Sequence, residues 1–453
     1  PGQIHVAMAG PSAMRVMWFT NETTSASICN FGVNNIEEKS ATGSAETYLE
    51  NYGSHHVVLL KNLRRGTTYK YSVGDGQTMS DTFVFSTMPD EDYTGDITLA
   101  VFGDMGYMDS VARPMGILGS KTMSANWSAT FSRETLERWK DNKEIDLVWH
   151  VGDVGYADDA VFHTAKTLVQ FEYEGAYNGY MEWMQNVTAT LPYHVLPGNH
   201  ESECHDPACV VNPRKLGLPL SNFTAYNARW KMPSQESGGV ASMWYSFDYG
   251  SVHFVSIDTE TDFDGAAENE KGDSGIFPAG QFATPGTYLA WLEADLKKAA
   301  ADPKVHWIFA AGHRPFTTFN SSQVDALFVK YNVSLYLAGH SHSYSRYAAS
   351  AHSGVTTHIT VGGAGCEEMK FATDNPTPGL HTGTSCAAWA QYEFPPHNLK
   401  KNKLETCEGA EFFTDAYAIG KLKIENFGKG DVSWKLYSSI DGSVLDSVYL
   451  KHN

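Results

Sequence analysis

Long apolar runs and clustered basic charge are both missing from this chain of 453 residues. No apolar stretch reaches the ~18 to 20 residues that a helix needs to span a bilayer, so we expect no membrane-embedded part. Aspartate and glutamate number 52 against 33 lysines and arginines, which gives a formal net charge of -19 at pH 7. Nucleic acid is not an expected partner, because its binding requires basic side chains that neutralise phosphates.

Cysteine is also scarce, and its spacing excludes a common kind of metal site. No Cys-X-X-Cys pair occurs, so a thiolate zinc site is not expected. The even number allows three disulfides in an oxidising compartment, with buried free thiols as the alternative. Cys204 and Cys209 are close enough in sequence to staple one loop. The six cysteines are Cys29, Cys204, Cys209, Cys366, Cys386 and Cys407.

Two features favour a protein of the secretory route. The chain begins at Pro1 without Met or a hydrophobic leader, which predicts a processed form. Asn-X-Ser/Thr sequons, the acceptors of N-glycosylation, occur at Asn21, Asn126, Asn186, Asn222, Asn320 and Asn332. We therefore expect a secreted, vacuolar or lysosomal glycoprotein. We also expect a monomer or a homodimer.

Residues 1–90 are predicted to form an all-β domain. Short apolar runs alternate with Gly, Asn and Pro at 3–9, 13–20, 27–33, 56–61, 67–73 and 82–87. The stretch from Asn62 to Tyr71 resembles the late-strand corner of fibronectin type III sandwiches, where a Tyr hydroxyl ties a turn to the backbone. We interpret this domain as a structural spacer without chemistry of its own.

Residues 91–453 are predicted to form a second domain, after the polar, Pro-bearing stretch at 88–92. Continuous apolar runs, typical of strands covered on both faces, occur at 97–102, 146–151, 193–196, 252–257, 305–311 and 333–337. A helix is predicted over 287–301, between Pro285 and Pro303. Three strands predicted after residue 416 are assigned to the same domain, which is therefore an α/β layered domain.

Polar motifs follow five of these six apolar runs within a few residues. Ligands at the carboxyl ends of strands converge in one crevice, and glycine lets the backbone turn there without a Cβ clash. Carboxylate, amide and imidazole groups suit metals such as Zn or Fe rather than Ca. The motifs, which predict one metal site, are Gly103-Asp104, Gly152-Asp153, Gly198-Asn199-His200, Gly312-His313 and Gly339-His340-Ser341-His342.

This motif series, with 152–158 reading GDVGYAD, resembles that of the calcineurin-like metallophosphoesterases, and Tyr156 narrows the resemblance to the purple acid phosphatases. The likeness covers nearly the whole chain, since larger members carry a fibronectin-like N-terminal domain. It implies a four-layer α/β/β/α catalytic domain and a dinuclear centre of Fe(III) and a divalent Fe, Zn or Mn ion. Metal-bound hydroxide would hydrolyse small phosphorylated substrates there.

The resemblance also implies a ligand set and several roles. Asp104, Tyr156 and His342 would bind Fe(III), Asn199, His313 and His340 would bind the divalent ion, and Asp153 would bridge both. Asp158 would orient the ligand loop.

Side chains beside the ligands are candidates for substrate contact. Asn199 would contact the phosphate. His200 would also reach the phosphate, or it would protonate the leaving group. The alternative is that His200 only forms a hydrogen bond that orients a metal ligand. Arg314 would contact phosphate oxygens, or form a surface salt bridge instead. Tyr344 would line the rim, or pack in the core.

One stretch departs from the family pattern. Plant members carry histidines some nine or ten residues after the ligand that corresponds to His313, and one of them is thought to be the general acid. Residues 316–323 read FTTFNSSQ here, without histidine. The leaving-group proton would then come from His200, from a residue such as His205, or from water. We take His200 as the donor.

The leading hypothesis is a secreted or vacuolar acid phosphatase that hydrolyses phosphate monoesters, with phytate as one candidate substrate. Within the same fold, a nucleotide phosphodiesterase or pyrophosphatase is the alternative. A non-catalytic storage or lectin-like glycoprotein would have lost ligands, whereas all seven are present.

Overall fold

The computed structural model describes residues 1–107, 129–158, 160, 170–319, 322–366 and 409–450. The N-terminal part is built from two four-stranded sheets, one ordered β1-β2-β6-β5 and the other β4-β3-β7-β8. Their strands are β1 (Gly2–Met8), β2 (Met14–Thr20), β3 (Ile28–Gly32), β4 (Lys39–Thr42), β5 (Ser44–Glu46), β6 (Ser54–Leu60), β7 (Thr68–Gly74) and β8 (Phe83–Ser86). Both sheets contribute to the same apolar core, with Trp18 and Tyr71 fully buried.

The six strands predicted in this region are confirmed, with ends shifted by at most two residues. Strands β4 and β5 were not predicted, because their short, exposed and mostly polar sequences lack an apolar pattern. The predicted tyrosine corner is also present: the Tyr69 hydroxyl accepts a hydrogen bond of 2.9 Å from the backbone N–H of Arg64. The boundary near residue 90 remains a prediction.

Two larger sheets form the centre of the second region. Their strands are β9 (Ile97–Phe102), β10 (Leu147–His150), β11 (Tyr193–Val195), β12 (Tyr245–Tyr249), β13 (Val252–Ser256), β14 (Trp307–Ala311), β15 (Leu335–Ala338), β16 (Tyr344–Tyr347), β17 (Thr357–Val361), β18 (Phe412–Thr414), β19 (Ala418–Ile424), β20 (Val432–Ser438) and β21 (Val444–Leu450). One sheet has the order β11-β10-β9-β19-β20-β21, and the other β12-β13-β14-β15-β17-β16-β18. Strands β9, β10 and β11 run parallel, as do β13, β14, β15 and β17.

The predicted C-terminal strands are confirmed as β19 to β21, and β19 pairs antiparallel with β9. This pairing places β19 at the centre of the six-stranded sheet, and β21, at the end of the described chain, forms its edge. The two large sheets pack on each other through Trp149 of β10, whose indole N–H donates to the Ser256 hydroxyl at 3.0 Å and whose ring meets Phe254 edge-on.

Helices complete a four-layer α/β/β/α arrangement. They are α1 (Thr130–Asp141), α2 (Tyr173–Thr188), α3 (Pro207–Val211), α4 (Thr224–Arg229), α5 (Ser234–Ser237), α6 (Thr287–Ala301) and α7 (Ser322–Lys330). Helix α6 has the predicted bounds and buries Leu292 and Leu296. No helix of the described residues is both long and apolar enough to cross a membrane.

A buried arginine joins the N-terminal sandwich to the second region. The Arg229 guanidinium donates to the Glu174 carboxylate at 2.8 Å and lies 3.2 Å from Nε2 of His55 on β6. The Tyr48 hydroxyl donates to the other Glu174 oxygen at 2.6 Å. Because such a buried charge must stay paired, this cluster ties the two parts together.

Candidate metal centre

Five motifs meet where strands of the two large sheets end. Asp104 follows β9, Asp153 follows β10 and Asn199 follows β11, all in one sheet. His313 follows β14 and His340 follows β15 in the other. The sheets face each other, so their carboxyl ends bring these side chains together, as the sequence predicts.

One group of donor atoms surrounds the Tyr156 hydroxyl. This oxygen lies 3.2 Å from Oδ1 of Asp104 and 3.0 Å from Nε2 of His342. The same Asp104 oxygen is 3.4 Å from Nε2 of His342. Two oxygen donors and one nitrogen donor thus face a common point.

A second group surrounds Oδ1 of Asn199. This atom lies 3.2 Å from Nε2 of His313 and 2.9 Å from Nδ1 of His340. The Asn199 side-chain N–H₂ points the other way, 3.5 Å from Oδ2 of Asp273, which keeps the amide oxygen toward the histidines. One oxygen and two nitrogens form this second group.

Asp153 belongs to both groups. Its Oδ2 atom is 2.9 Å from Nε2 of His313 and 3.4 Å from the Tyr156 hydroxyl. Ligand atoms of Asp153, His313 and His340 all lie within 4.8 Å of one another. The two groups therefore share a carboxylate, as a pair of neighbouring cations requires.

The electrostatics of this pair also favour a cation. Burial alone lowers the pKa of His313, but the carboxylates of Asp153, Asp104 and Glu260 together outweigh burial and raise it to about 9. Burial likewise raises the pKa of Asp153, yet the charges of His313 and His200 hold it below its usual range. The site thus holds positive charge between these residues, and a metal ion would replace the proton.

Backbone groups orient the donors. Nδ1 of His313 lies 2.9 Å from the Val151 carbonyl, so it carries the proton and leaves Nε2 as the donor atom toward the centre. Each carboxylate has one oxygen held by an N–H: Asp104 accepts from His340 at 2.9 Å, and Asp153 accepts from His200 at 3.0 Å. The remaining oxygens are left to face the centre.

Strained backbone marks the same residues. Asp104, Asp153, Tyr156 and His340 have φ angles of 60°, 50°, 48° and 64°. Side-chain-bearing residues rarely adopt this left-handed region, and such strain concentrates at functional sites. At Gly198, a Cβ atom would overlap the Asp153 carboxylate, so only glycine permits this approach.

The donor set fits two metal ions. Neighbouring donor atoms are 2.9 to 3.4 Å apart. Ligands bound at about 2.0 to 2.2 Å around one ion have such spacings. The donors are a phenol, a carboxylate and an imidazole on one side, and an amide and two imidazoles on the other, with the Asp153 carboxylate between them.

Comparison with known proteins agrees with this geometry. A profile of the calcineurin-like phosphoesterases matches residues 97–344, and one of the purple acid phosphatase N-terminal domain matches residues 1–87. The chain belongs to the calcineurin-like phosphoesterase family. Its N-terminal part is that of the purple acid phosphatases, and the protein is a phosphoester hydrolase of this family.

Similar proteins include an acid phosphatase of Aspergillus ficuum, 27% identical over 87% of this chain and 75% of the relative. A probable purple acid phosphatase 20 of Arabidopsis thaliana is 27% identical over 77% of this chain and 69% of the relative. The structure of purple acid phosphatase PPD1 from yellow lupin seeds superposes with a TM-score of 0.63, at 17% identity, over 99% of this chain and 73% of that one. These relatives support acid phosphatase activity, and the last likeness shows the fold.

His200 lies beside the first donor group of this phosphoesterase. Its ring centroid is 4.2 Å from that of Tyr156, and Nδ1 is 2.8 Å from Oδ2 of Asp158. The same Asp158 oxygen is 3.1 Å from Nδ1 of His205. Asp158 thus holds two histidines rather than only the ligand loop that the family resemblance implied.

Arg314 is engaged by protein groups rather than standing clear for phosphate. Its Nε donates to Glu260 at 2.8 Å, Nη2 lies 3.4 Å from Glu268, and Nη1 lies 3.0 Å from Nε2 of His340. Both carboxylates are buried, so the salt bridge considered as the alternative is formed in the interior and not at the surface.

Tyr344 is not brought to this centre. It is buried in β16, its hydroxyl donates to Asp446 at 2.8 Å, and the Trp434 indole donates to it at 3.0 Å. Core packing, the alternative reading, describes this placement. Its buried polar partners come from β20 and β21 of the other large sheet, and they hold Tyr344 in the core rather than at the rim expected for substrate contact.

The candidate glycosylation sites and the cysteines are distributed as follows. Asn21, Asn186, Asn222 and Asn332 are exposed, while Asn126 and Asn320 lie outside the described residues. Cys204 and Cys209 form the predicted disulfide. Cys29 and Cys366 are buried, and Cys386 and Cys407 lie outside the described residues.

Two kinds of residue were missed from the sequence. The Glu201 carboxylate accepts hydrogen bonds of 2.8 to 2.9 Å from the backbone N–H groups of Asp153, Val154 and Gly198. Its position directly after His200 was the one feature of the sequence that could have indicated this role. Glu268 belongs to a long polar loop, and such a loop carries no pattern that predicts its partners.

Proposed function

We propose that this acid phosphatase hydrolyses phosphate monoesters at a dinuclear centre of Fe(III) and a divalent Fe, Zn or Mn ion. The observation that carries the proposal is the pair of donor groups that share Asp153. Residues proposed to hold Fe(III) are Asp104, Tyr156 and His342, and those for the divalent ion are Asn199, His313 and His340.

The donor chemistry supports this division. A phenolate and a carboxylate favour a hard trivalent ion, whereas an amide and two imidazoles suit a divalent one. When bound, such a metal pair supplies a polarised phosphoryl group, a nucleophile at low pH and neutralisation of developing charge. The chain's own part is to hold the donors rigidly, which the backbone contacts of Asp104, Asp153 and His313 accomplish.

His200 is proposed to protonate the leaving alcohol, with Asn199 beside it at the phosphate. The Asp158 carboxylate, 2.8 Å from Nδ1, orients the ring and stabilises its protonated form. Nε2 is then the atom from which the proton leaves. The net charge of -19 repels anions at long range. The attraction of phosphate must therefore come from local positive charge, which the protonated His200 and the bound metal ions would supply.

Secretion with glycosylation, and a monomeric or homodimeric state, remain part of the proposal. The four described sequons support it because they are exposed to a glycosylating enzyme. Small phosphorylated compounds are the substrates, and phytate is one monoester to be tested among them.

The test is a substrate panel with metal quantitation on one preparation. We expect about two metal ions per chain, hydrolysis of phosphate monoesters at acid pH, and little turnover of bis(nitrophenyl) phosphate or nucleotide pyrophosphates. Preferential cleavage of those diesters would favour the phosphodiesterase alternative. A metal-loaded protein without activity on either class would favour the non-catalytic one.

A further inference from the structure

A buried series of alternating imidazoles and carboxylates leads away from His200. Nδ1 of His200 lies 2.8 Å from Oδ2 of Asp158, and Nδ1 of His205 lies 3.1 Å from the same oxygen. On the other side of the ring, Nε2 of His205 lies 3.5 Å from Oε1 of Glu203. The side chains of Asp158 and Glu203 are fully buried, and that of His205 is 13% exposed. The four groups therefore act on one another inside the protein rather than through water.

These contacts determine which nitrogen atoms of the two rings carry protons. An ionised carboxylate can only accept hydrogen bonds, so both histidines donate to Asp158 from Nδ1. Nε2 of His200 is then left for the leaving group, as the proposed proton donor requires. Both nitrogens of His205 are directed at carboxylates. His205 is therefore not placed to protonate the leaving group itself, which was one alternative that the sequence left open.

Two donors hold the Asp158 carboxylate more firmly than one would. The terminal torsion of an aspartate side chain is broad, so a single contact leaves the carboxylate free to turn. The ring centroids of His200 and His205 are 6.4 Å apart, so the two rings approach Oδ2 from different directions. With both rings in place, Oδ2 is kept opposite Nδ1 of His200.

His205 is itself held by Glu203. The Glu203 carboxylate accepts the backbone N–H groups of Ser274 at 2.6 Å and Phe277 at 3.1 Å, which fix it to another loop. Burial raises the pKa of Glu203, but the hydrogen bonds from His205 and Ser274 outweigh burial and hold this pKa below its usual value. Glu203 therefore keeps its charge at the mildly acid pH of the proposed reaction.

The backbone around His205 is also fixed on both sides. The disulfide between Cys204 and Cys209 closes the loop that carries it. Directly after it, Oδ2 of Asp206 accepts the backbone N–H of Glu172 at 2.7 Å, where α2 begins. The loop therefore presents the His205 ring to Asp158 in one orientation.

We propose that His205 is a positioning residue of the phosphatase reaction, which keeps the Asp158 carboxylate aligned with His200 while His200 protonates the leaving alcohol. This inference rests on the proposed function, in which the proton passes from Nε2 of His200 to the alcohol oxygen as the P–O bond breaks. Loss of His205 should therefore matter where the leaving oxygen needs a proton, and not where it departs readily as a stable anion.

Hydrolysis of propyl phosphate and nitrophenyl phosphate by the metal-loaded enzyme tests this role. His205→Ala should lower kcat for propyl phosphate about fivefold, the effect of one hydrogen bond, and kcat for nitrophenyl phosphate less than about twofold. The metal content of the variant should equal that of the wild type, since His205 contacts no proposed ligand among the described residues. His306→Ala, at an exposed position, is the control and should change neither kcat.

Conservative variants separate a positioning role from a merely structural one. In His205→Asn the amide nitrogen is attached to Cγ, as Nδ1 is in histidine, so it reaches Asp158 and should restore kcat for propyl phosphate to within about twofold of the wild type. His205→Gln places its amide near the position of Nε2, toward Glu203, and should behave like His205→Ala. Restoration by Gln and not by Asn would overturn the inference. This comparison keeps the test available if His205→Ala does not fold.

A double variant tests whether His205 acts through Asp158. In an Asp158→Asn background, His205→Ala should cause less than about twofold further loss on propyl phosphate, because residues that act as one unit are not additive. An undiminished fivefold loss would contradict this route.

The remaining outcomes distinguish two failures. A wild type that hydrolyses neither ester would remove the proposed function and the role of His205 with it. An active wild type whose His205→Ala variant loses nothing, or loses equally on both esters, would overturn the role of His205 alone.

Discussion

Oδ2 of Asp153 lies 2.9 Å from Nε2 of His313. The same oxygen is 3.4 Å from the hydroxyl of Tyr156, which belongs to the other donor group. Asp153 is therefore the point at which two clusters of ligands become one centre. Its other oxygen is held by the His200 N–H, so the side chain cannot easily turn away.

Asp153→Asn should weaken binding of both metals and abolish turnover. An amide cannot replace a shared carboxylate, and even residues that only orient ligands contribute about 10- to 100-fold to metal affinity. Metal content measured after dialysis against a chelator checks the expectation. Asp264→Asn is the control. Retention of two ions with normal activity would contradict a bridging role.

Tyr156→Phe should remove the colour of the oxidised, metal-loaded protein. A phenolate bound to Fe(III) gives a visible charge-transfer band, and phenylalanine has no oxygen donor. Tyr449→Phe, at a position 64% exposed, is the matched control and should keep the band. A colourless wild-type protein, or a coloured Tyr156→Phe variant, would remove the ferric assignment.

His200→Ala should slow hydrolysis of alkyl phosphates more than that of nitrophenyl phosphate. Positioned acids contribute about 10²- to 10⁴-fold, and the contribution shrinks when the leaving oxygen is already stable. Asp158→Asn should act in the same direction but less strongly, since it acts through His200. Steady-state kcat for both substrates measures this, with exposed His306→Ala as the control. Equal losses on both substrates would indicate binding rather than acid catalysis.

His253 should make the protein more stable at acid than at alkaline pH. Its ring lies 2.7 Å from Asp248 and 2.9 Å from Asp295, and these hydrogen bonds outweigh burial and raise its pKa to about 9. Because this exceeds the unfolded value of about 6.5, the stabilisation is complete below pH ~6.5 and lost as pH rises through about 9.

The exposure of Asp248 reduces this contribution to about 1 to 2 kcal/mol. Thermal unfolding at pH 6 and pH 9.5 should therefore show a larger loss of Tm for the wild type than for His253→Gln. If Tm fell by the same amount in both proteins between pH 6 and pH 9.5, the proposed stabilisation by protonated His253 would be contradicted.

Glu174→Gln should loosen the contact between the two parts of the chain. It would leave the Arg229 charge buried without a carboxylate, a loss of roughly 3 to 5 kcal/mol in comparable buried pairs. Chemical unfolding followed by fluorescence measures the change. Glu293→Gln, which breaks an exposed pair with Lys330, is the control and should have little effect. Similar stability of both variants would mean that Arg229 does not couple the two parts.

Local patterns predicted much of the fold. The apolar run at 97–102 is β9, because a strand that is buried on both faces has a continuous apolar sequence. The helix predicted at 287–301 is α6, because a helix that is buried along one side has apolar residues at helical spacing. Strands β12, β16, β17 and β18 were not among the predicted strands. The residues of β16 and β18 read YSRY and FFT, too short or too polar to differ from loop sequence until neighbouring strands pair with them.

The sequence alone determined which residue types stand after which strands, and from that order the donor set of a metal phosphoesterase. Only the tertiary structure decided what lies around those donors. Arg314 contacts Glu260 and Glu268, Asp158 is shared by His200 and His205, and Tyr344 is in the core. Each ligand motif is a short stretch of the chain, so the sequence shows it directly. The partners of these residues come from loops and strands that are far apart in the chain, and how the two sheets pack decides which of them come into contact.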